Sequence, residues 1–506
     1  MAAYGGAVRA LLIRGAAGST VLVAGGYFYA RLPRGTWMDR LSALWSVRHA
    51  AHHLAWGLVL STIGLVLITW AWWDLRRRVK SGSADLSGVR RAAAVWSVPL
   101  LLGPPVFSGD GWSYVATGVL TAQGRSPYLW TPAALPLPLR SGVSPEWQTT
   151  PSPYGPLALS WGGAFAHLFQ DPWLLLAAYR LAAVLGVALL AWAVPVLARS
   201  VGRDPVDASL LAVASPFVLV HGIGGLHNDV ETAALAVAAL AVTRPGRWLP
   251  GAVLVGLAAA VKAPGLVAAI GVVLLSLEAG ARWYTRLGRS ALVGGVAGGV
   301  LLGTGWITGL GTGWIGALSV PDHEYTVLSL SAVGGRFVRS FLRHSGPAGV
   351  RLIHEVHPAI FAKRLGVVVL LLVAAWVLLR TRLGSPRRAI AAAGVVALAA
   401  VLLSPIVHYW YFFWAVPVLA CVPLRRPLGM AVVAGVTALG LTAVADHALR
   451  IRWLWETGAW SLVLAPVLAW AVTQVREQRR PPAAPPGAPP GAPTDAPADA
   501  PTDAAA

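Results

Sequence analysis

The sequence has very little cysteine and little charge. Its single cysteine, Cys421, excludes an internal disulfide and a metal site built from several thiolates. Charged residues make up 12% of the 506 residues, whereas hydrophobic residues make up 56%. So few charges cannot cover a water-soluble globule of this size. The composition therefore excludes a soluble protein and indicates that the chain's first partner is a lipid bilayer.

Acidic residues are half as numerous as basic ones, which leaves a formal net charge of +20. Such an excess can indicate a nucleic-acid partner, but here the basic residues stand between apolar runs instead of forming one patch. Membrane topology explains this distribution, because basic residues collect in cytoplasmic loops. We therefore expect no nucleic-acid partner.

Apolar runs close to the length of a membrane span recur between residues 10 and 475. In lipid such runs must be helices, because every backbone polar group has to pair within its own segment. The first run is followed by no clean cleavage site and is interpreted as a retained span. The pattern predicts about fourteen transmembrane helices, at roughly 8–30, 52–74, 92–107, 173–198, 206–222, 229–243, 248–261, 264–280, 290–310, 365–380, 388–405, 408–423, 428–447 and 459–475.

Alternate loops of this scheme carry most of the basic residues, including the cluster between Arg76 and Lys80. The richer side should be cytoplasmic, which places both termini in the cytoplasm of a multi-pass cell-membrane protein. The loop between the first two spans disagrees, because it is basic and yet lies outside in this scheme.

Two domains are expected. Residues 1–475 form the transmembrane domain, and residues 476–506 form a Pro/Ala-rich disordered cytoplasmic tail that cannot bury a core. Within the transmembrane domain, Gly295, Gly299 and Gly303 recur at every fourth residue, a spacing that lets two helices approach closely in lipid.

The rare polar residues of the apolar region fall on the extracytoplasmic side of this topology. They occupy two long loops, one from about 108 to 172 and one that begins at residue 321, and three shorter turns. Ionisable groups at membrane depth are costly, so five such segments on one face indicate a functional cavity. Residues 104–128, at the start of the first loop, carry a single carboxylate, Asp110. The candidate substrate-binding residues are Ser113, Tyr114, Tyr154, His227, Asn228, Asp229, Lys262, Arg336, His408 and Trp410.

Each of these residues also fits a structural role. Asn228 and Asp229 would cap the helix that is expected to follow them. Lys262 would extend its long side chain to the membrane surface. Arg336 recurs with two further arginines at helical spacing, as on a solvated helix face. Trp410 and its neighbours would belong to an aromatic belt at the lipid–water boundary. From the residues alone, both explanations stay open.

Five motifs occur in a fixed order: SGDGWSYVATG followed by GRSPY, SPYGPL, HGIGGLHND, AAAVKAPGL and LSPIVHYWYFFW. In this order they resemble the polyprenol-phosphate-mannose-dependent α-1,6-mannosyltransferases of actinobacteria, which are integral-membrane glycosyltransferases of the GT-C fold. The likeness covers most of the chain, from residue 90 to residue 475. It implies that Asp110 is the catalytic base and that the donor is a mannose carried on polyprenyl phosphate. Gly109, Gly111 and Trp112 depart from the pattern around the acid, so the acceptor is left open.

The chemistry of such a transfer assigns roles to the remaining candidates. A single carboxylate can take the proton of an acceptor hydroxyl in one displacement with inversion, whereas retention through a covalent intermediate would need a second, nucleophilic carboxylate. Lys262, Arg336 and Arg339 are the cationic candidates for the leaving phosphate. His227 and Asn228 would orient sugar hydroxyls or the phosphate, with Asp229 holding them.

No cofactor is expected. A divalent metal that bridges Asp110 and Asp229 to the phosphate is an alternative that their hard oxygen ligands would allow, although the sequence has no dense acidic cluster.

The sequence therefore predicts an all-α polytopic membrane protein of the GT-C type. Its predicted activity is an inverting mannosyl transfer from polyprenyl-phosphate mannose to a glycan or glycolipid acceptor, with an α-1,6 linkage as in a lipomannan backbone. Protein O-mannosyltransferases, glucosyltransferases and arabinosyltransferases on the same fold are the nearest alternatives. A lipid or sugar transporter would show two related halves, and the sequence contains no internal repeat. A non-catalytic assembly protein would leave the motif series without a purpose.

Overall fold

The computed structural model describes residues 2–320, 326–445 and 452–478. All regular elements in these ranges are helices, which confirms the all-α prediction. The predicted disordered tail lies outside the described residues from residue 479 onward. The α-helices are α1 (Ala2–Tyr29), α2 (Ser42–His49), α3 (His53–Lys80), α4 (Leu86–Leu102), α5 (Asp110–Ala122), α6 (Leu137–Gly142), α7 (Pro145–Gln148), α8 (Pro156–Ala166), α9 (Pro172–Arg199), α10 (Pro205–Ala212), α11 (Asp229–Val242), α12 (Leu249–Val261), α13 (Ala269–Ser276), α14 (Trp283–Ile307), α15 (Trp314–Ala317), α16 (Leu330–His344), α17 (Pro347–Val356), α18 (Pro358–Arg380), α19 (Pro386–Leu403), α20 (Val416–Ala420), α21 (Arg426–Leu441) and α22 (Arg452–Gln478).

Five short segments of tighter or wider helix connect these elements. The π-helical segment is Val218–Gly224, and the 3₁₀ segments are Pro132–Ala134, Ala263–Ala268, Tyr409–Trp414 and Thr442–Ala445.

Within the described residues, seven helices are long and apolar enough to cross a membrane, namely α1, α3, α9, α14, α18, α19 and α21. Many of their large apolar side chains face outward, such as Trp70, Leu185 and Leu371, each more than half exposed. Outward-facing apolar side chains on long helices are suited to lipid contact. The polytopic prediction is confirmed, and the count of about fourteen crossings stays a prediction.

Two predicted spans are not continuous helices. Residues 206–222 are divided because α10 ends at Ala212 and the chain resumes as a π-helix only at Val218. Pro216 lies in this interval, and its ring disfavours helical geometry at the preceding residue. Residues 408–423 consist of a 3₁₀ segment and the five-residue helix α20. Hydropathy cannot reveal either break, because the interrupted residues are as apolar as a helix would be.

The glycine spacing in α14 does not mark a helix contact. A methyl group placed on Gly295, Gly299 or Gly303 would meet no described atom within 4 Å. The close approach between α12 and α14 uses Gly256 instead, where a Cβ would lie 2.6 Å from the Cβ of Val300. The expectation of packing at the three α14 glycines is therefore wrong, because these glycines lie on another face of the helix.

The first long external stretch is a folded unit rather than an open loop. Helices α5 and α8 cross closely where a Cβ on Gly162 would lie 1.8 Å from the hydroxyl of Tyr179 and 2.9 Å from the Cα of Gly118. That Tyr179 hydroxyl donates to the carbonyl of Tyr114 at 2.8 Å. Helices α5, α8 and α9 are thus held together, which fixes the helix that begins at Asp110.

The second long external stretch contains α16 and α17. Next to the part that lies outside the described residues, the backbone N–H of Val407 donates to the Thr326 hydroxyl at 2.8 Å. The Ser329 hydroxyl donates to the carbonyl of Ser404 at 2.7 Å. These contacts bring the start of α16 beside the segment that leads into Tyr409–Trp414.

Candidate active site

Asp110 stands at the first position of α5, where its carboxylate meets His227. The Nδ1 atom of His227 lies 3.2 Å from Oδ2 of Asp110, and the two side chains are only 1% and 13% exposed. An imidazole nitrogen that faces an ionised carboxylate donates the hydrogen bond. Among the described residues, no hydrogen bond engages the second carboxylate oxygen, Oδ1.

Backbone contacts hold the two segments that carry this pair. The N–H of Val106 donates to the carbonyl of Gly224 at 3.0 Å, which joins the chain before Asp110 to the chain before His227. Arg180, buried in α9, donates to the carbonyls of Leu100, at 2.5 Å, and Gly103. These two carbonyls end α4, where an unpaired acceptor would be costly in an apolar setting.

Arg180 was not among the candidates from the sequence, because nothing in the residue order connects it to α4. Its guanidinium fixes the point at which the chain leaves α4 and turns toward Asp110.

Trp410 stacks against the imidazole rings of both candidate histidines. The His227 ring stacks on Trp410 with centroids 3.5 Å apart and an interplanar angle of 11°. The His408 ring also stacks on Trp410, at 4.5 Å and 2°. Trp410 is 6% exposed. It therefore serves the buried cluster around Asp110 rather than an aromatic belt at the membrane surface.

Asp229 is fully buried and has three hydrogen bonds. Lys262 Nζ lies 2.8 Å from Oδ2 and 3.0 Å from Oδ1 of Asp229, and the indole N–H of Trp414 donates to Oδ1 at 2.7 Å. The Lys262 ammonium also lies 4.6 Å from the ring centroid of Tyr411. Lys262 is 8% exposed, so it points into the protein and does not extend to the membrane surface.

Trp414 was also missed by the sequence reasoning, since no spacing relates it to Asp229. Asn228 occupies the N-cap position of α11, but its side chain makes no capping hydrogen bond. Helix capping by its side chain therefore does not explain why an asparagine occupies position 228. Its backbone N–H instead donates to the hydroxyl of Tyr114 at 3.4 Å.

Tyr114 and Tyr154 line the space between the two carboxylates. Their rings meet edge to face with centroids 5.0 Å apart, and the Tyr154 ring lies 5.7 Å from the Lys262 ammonium. Tyr114 follows Asp110 by four residues on α5, so both side chains lie on one face of the helix. Ser113 differs, because its hydroxyl is directed at the carbonyl of Gly109 in its own helix at 3.5 Å.

Burial and the neighbouring cations act in opposite directions on Asp110. Burial raises the pKa of its carboxyl, but the hydrogen bond from His227 and the positive charges of His227, His408 and Lys262 outweigh burial and hold the pKa below its usual value. At Tyr154, burial, together with the Asp110 charge, raises the pKa of the phenol well above its usual value. Asp110 is thus ionised and Tyr154 is a neutral hydroxyl at neutral pH.

Arg336 belongs to the second long external stretch. It is exposed on α16, where the predicted arginine spacing forms one side of an amphipathic helix. Its assignment to the phosphate stays a prediction. The other candidates come together: Asp110, Tyr114, Tyr154, His227, Asn228, Asp229, Lys262, His408 and Trp410 form a continuous set of contacts.

A cavity of about 310 Å³ adjoins the cluster. Helices α5, α8, α9 and α11 form most of its wall, and half of the lining residues are leucine or alanine. Tyr114, Tyr154 and Asn228 belong both to this wall and to the cluster. The cavity volume is within the range of small-molecule sites.

A metal bridging Asp110 and Asp229 would compete with the protein's own groups. Both oxygens of Asp229 are engaged by Lys262 and Trp414, and Lys262 supplies the positive charge that the carboxylate needs. Across the ranges that the structure describes, no group of three or more His, Cys, Asp or Glu side chains is placed to hold a metal ion. The donor set therefore does not fit the bridging metal.

Three family models match the chain. The model described as "Alpha-(1->6)-mannopyranosyltransferase, N-terminal domain" matches residues 12–278. "Glycosyltransferase family 87" matches residues 154–405, and "MptB C-terminal domain" matches residues 353–474. No solved structure matches the chain. With the all-helical architecture, the match to glycosyltransferase family 87 confirms the predicted fold class and the prediction of a glycosyltransferase enzyme.

Curated relatives agree with these models. The alpha-(1->6)-mannopyranosyltransferase A of Mycobacterium tuberculosis is 36% identical over 255 residues, which are 49% of this chain and 48% of the relative. The alpha-(1->6)-mannopyranosyltransferase B of Corynebacterium glutamicum is 28% identical over 475 residues, which are 86% of this chain and 75% of the relative. The chain thus spans about half the length of the first relative and three quarters of the second. Because the first family model covers more than half of its residues, the protein belongs to the alpha-(1->6)-mannopyranosyltransferase family.

Proposed function

We propose that the protein is an inverting mannosyltransferase that transfers mannose from polyprenyl-phosphate mannose to a glycan or glycolipid acceptor and forms an α-1,6 linkage. The names of the relatives support mannosyl transfer and the linkage. The observation that carries the mechanism is the single carboxylate of Asp110, which His227 keeps ionised beside an apolar cavity. We place this site on the extracytoplasmic face of the cell membrane, with both termini in the cytoplasm.

Asp110 acts as the general base. Its Oδ2 accepts from His227, so Oδ1 receives the proton of the acceptor hydroxyl. As that proton leaves, the hydroxyl oxygen bonds to the anomeric carbon of mannose. The bond between the anomeric carbon and the phosphate oxygen breaks, and its electron pair leaves with the polyprenyl phosphate. A β-linked donor yields an α-linked product by this single displacement.

The second acid of the cluster, Asp229, is not available as a nucleophile. A retaining mechanism through a covalent intermediate needs a free carboxylate as the nucleophile. Asp229 is held on both oxygens by Lys262 and Trp414, so it is poorly suited to attack the anomeric carbon. Asp229 instead keeps Lys262 in position near Tyr154, on the cavity side of the cluster.

The leaving phosphate meets Lys262 and the histidine rings. An ammonium group has three donors, and Asp229 takes two hydrogen bonds from Lys262. The third donor is available for a phosphate oxygen, and His227 and His408 add positive charge when they are protonated. The transfer needs no metal in this arrangement, because the cations come from the chain itself.

The experiment measures transfer of mannose from polyprenyl-phosphate mannose by the purified protein, with no ion gradient across a membrane. Asp110→Asn keeps the shape of the side chain and removes its basicity, so turnover should fall by about 10²–10⁴-fold while donor binding is retained. Wild-type turnover should be unchanged by EDTA. Donors that carry glucose or arabinose serve as controls for the sugar.

Near-normal turnover of folded Asp110→Asn would remove Asp110 as the base. Faster transfer of glucose or arabinose than of mannose would replace the proposed donor. If wild-type turnover is lost in EDTA and recovers when Mg²⁺ is added, the reaction depends on a divalent metal ion.

A further inference from the structure

Two buried side-chain oxygens at the start of α11 have no hydrogen-bond partner among the described residues, and both belong to residues that line the cavity. The Oδ1 atom of Asn228 and the Oε2 atom of Glu231 are buried, and neither has a hydrogen bond in the described part of the chain. Both residues line the cavity, and Asn228 is 8% exposed. A buried polar oxygen without a hydrogen-bond partner is unfavourable, so two of them in residues of one wall indicate a ligand that forms hydrogen bonds.

Helix geometry directs these atoms to the same place. Asn228 and Glu231 are three residues apart at the start of α11, so their side chains lie on one face of the helix. Gly186 of α9 leaves room for Glu231 there, since a Cβ at this glycine would lie 3.3 Å from Cγ of Glu231. Asp229 points elsewhere, to Lys262 and Trp414, so Glu231 is not part of that ion pair.

Four aromatic side chains of the otherwise mostly aliphatic wall suit a sugar ring. Tyr114, Tyr154, Trp161 and Tyr179 provide aromatic surface on which the apolar face of a pyranose can pack, and the tyrosine hydroxyls add polar contacts. Each sugar hydroxyl is a donor for an acceptor such as Asn228 Oδ1 or Glu231 Oε2. A prenyl chain has no donor and would leave both atoms unpaired.

We infer that Asn228 and Glu231 bind hydroxyl groups of a hexopyranosyl ring inside this cavity, which makes Glu231 a specificity-determining residue for the transfer. The inference rests on the proposed function, because that function brings two sugars to this site. The ring belongs either to the donor or to the acceptor, and the same contacts would serve both.

The test measures binding in the Asp110→Asn background, where chemistry is blocked. The probes are polyprenyl-phosphate mannose and a synthetic α-1,6-dimannoside, each with a series of monodeoxy analogues. Glu231→Leu should weaken binding of one probe at least tenfold, and Glu231→Gln should weaken it less because the amide keeps an acceptor oxygen. One monodeoxy analogue should bind more weakly than the parent sugar to the protein that keeps Glu231. The same analogue and the parent sugar should bind equally well to Glu231→Leu. The probe that weakens identifies the donor or the acceptor as the source of the ring.

Leu240→Met is the matched control, since Leu240 is buried on α11 and does not line this cavity. If Glu231→Leu binds both probes with affinities within twofold of those of the Asp110→Asn parent, the inference is overturned. The inference is also overturned if Glu231→Leu binds the donor more tightly and this gain in affinity grows with the length of the prenyl chain. That result would assign the cavity to the lipid chain of the donor. Should Glu231→Leu fail to fold, Glu231→Gln with the deoxy series gives the same test.

The two proposals fail separately. Mannose transfer by the wild-type protein, together with unchanged sugar binding in the Glu231 variants, would remove the inference and keep the function. Sugar binding that depends on Glu231, without any mannose transfer by the wild-type protein, would remove the function and keep the sugar site.

Discussion

Asp110 owes its ionised state to His227 more than to any other neighbour. Burial alone would raise the pKa of the Asp110 carboxyl and so disfavour the ionised form that accepts a proton. The hydrogen bond and charge of His227 reverse that effect, and the stack on Trp410 fixes the orientation of the imidazole. The histidine therefore acts through Asp110, as a positioning residue.

His227→Phe should move the acid limb of the pH–rate profile to higher pH. The phenyl ring can keep the stack on Trp410, but the hydrogen bond and charge that lower the pKa of Asp110 are lost and burial remains. Since Asp110 must be deprotonated to act, a higher pKa removes activity at pH values where the wild-type protein still works. The measurement is the mannose-transfer rate as a function of pH.

His408→Phe is the matched comparison. It removes a weaker charge effect on Asp110 and no hydrogen bond to it, so its acid limb should move in the same direction by a smaller amount. An unchanged acid limb in folded His227→Phe would contradict the role given to His227.

The first turn of α11 is held by two irregular segments. Asp229 joins it to Lys262, in the bend after α12, and to Trp414, at the end of the Tyr409–Trp414 segment. Both of these segments depart from regular α-helix geometry. Unwound backbone at membrane depth is tolerated where it lines a cavity.

Lys262→Met should destabilise the fold by about 3–5 kcal/mol, because it leaves the fully buried carboxylate of Asp229 without its counter-charge. The double variant Asp229→Asn/Lys262→Met removes both charges and should recover most of that loss. Equilibrium unfolding in detergent measures the two free energies and their coupling.

Arg382→Met is a suitable control, since this arginine is exposed and its side chain is far from Asp229 in the topology. Equal stability of Lys262→Met and the wild-type protein would show that Asp229 does not need the lysine.

The segments that form the site all meet at one end of the helix bundle. Contacts join the start of α5, the start of α11, the bend after α12 and the chain from Ser404 to Trp414. The basic clusters of the sequence lie at the other ends of the intervening helices, for example at the end of α3 and the start of α21. This separation is the basis for placing the site outside the cytoplasm.

Labelling of cysteines in intact cells tests this orientation. Cys421 is buried, so the wild-type protein should not react with a membrane-impermeant maleimide. Gln123→Cys, at the exposed end of α5, should react in intact cells, whereas Arg382→Cys, in the exposed loop between α18 and α19, should react only after lysis. The opposite pattern would place the site on the cytoplasmic side.

The sequence predicted the membrane setting and most of the residues of this cluster, since apolar length and rare polar residues carry strong signals. It placed Asp110, His227, Asp229 and Lys262 on one face, and the structure brings them into contact. The partner of each residue could not be predicted, because pairing depends on how the segments pack. Glu231 was not among the candidate residues, and only its place in the cavity wall distinguishes it.

The ion pair at Asp229 also bears on how the chain is made. Lys262 follows Asp229 by 33 residues, whereas Trp414 follows it by 185. During synthesis the counter-charge therefore leaves the ribosome soon after the acid, and the indole arrives much later. The carboxylate and the lysine can therefore enter the membrane together as a neutral ion pair. The complete set of contacts at Asp229 forms only after the last third of the polypeptide has been synthesised.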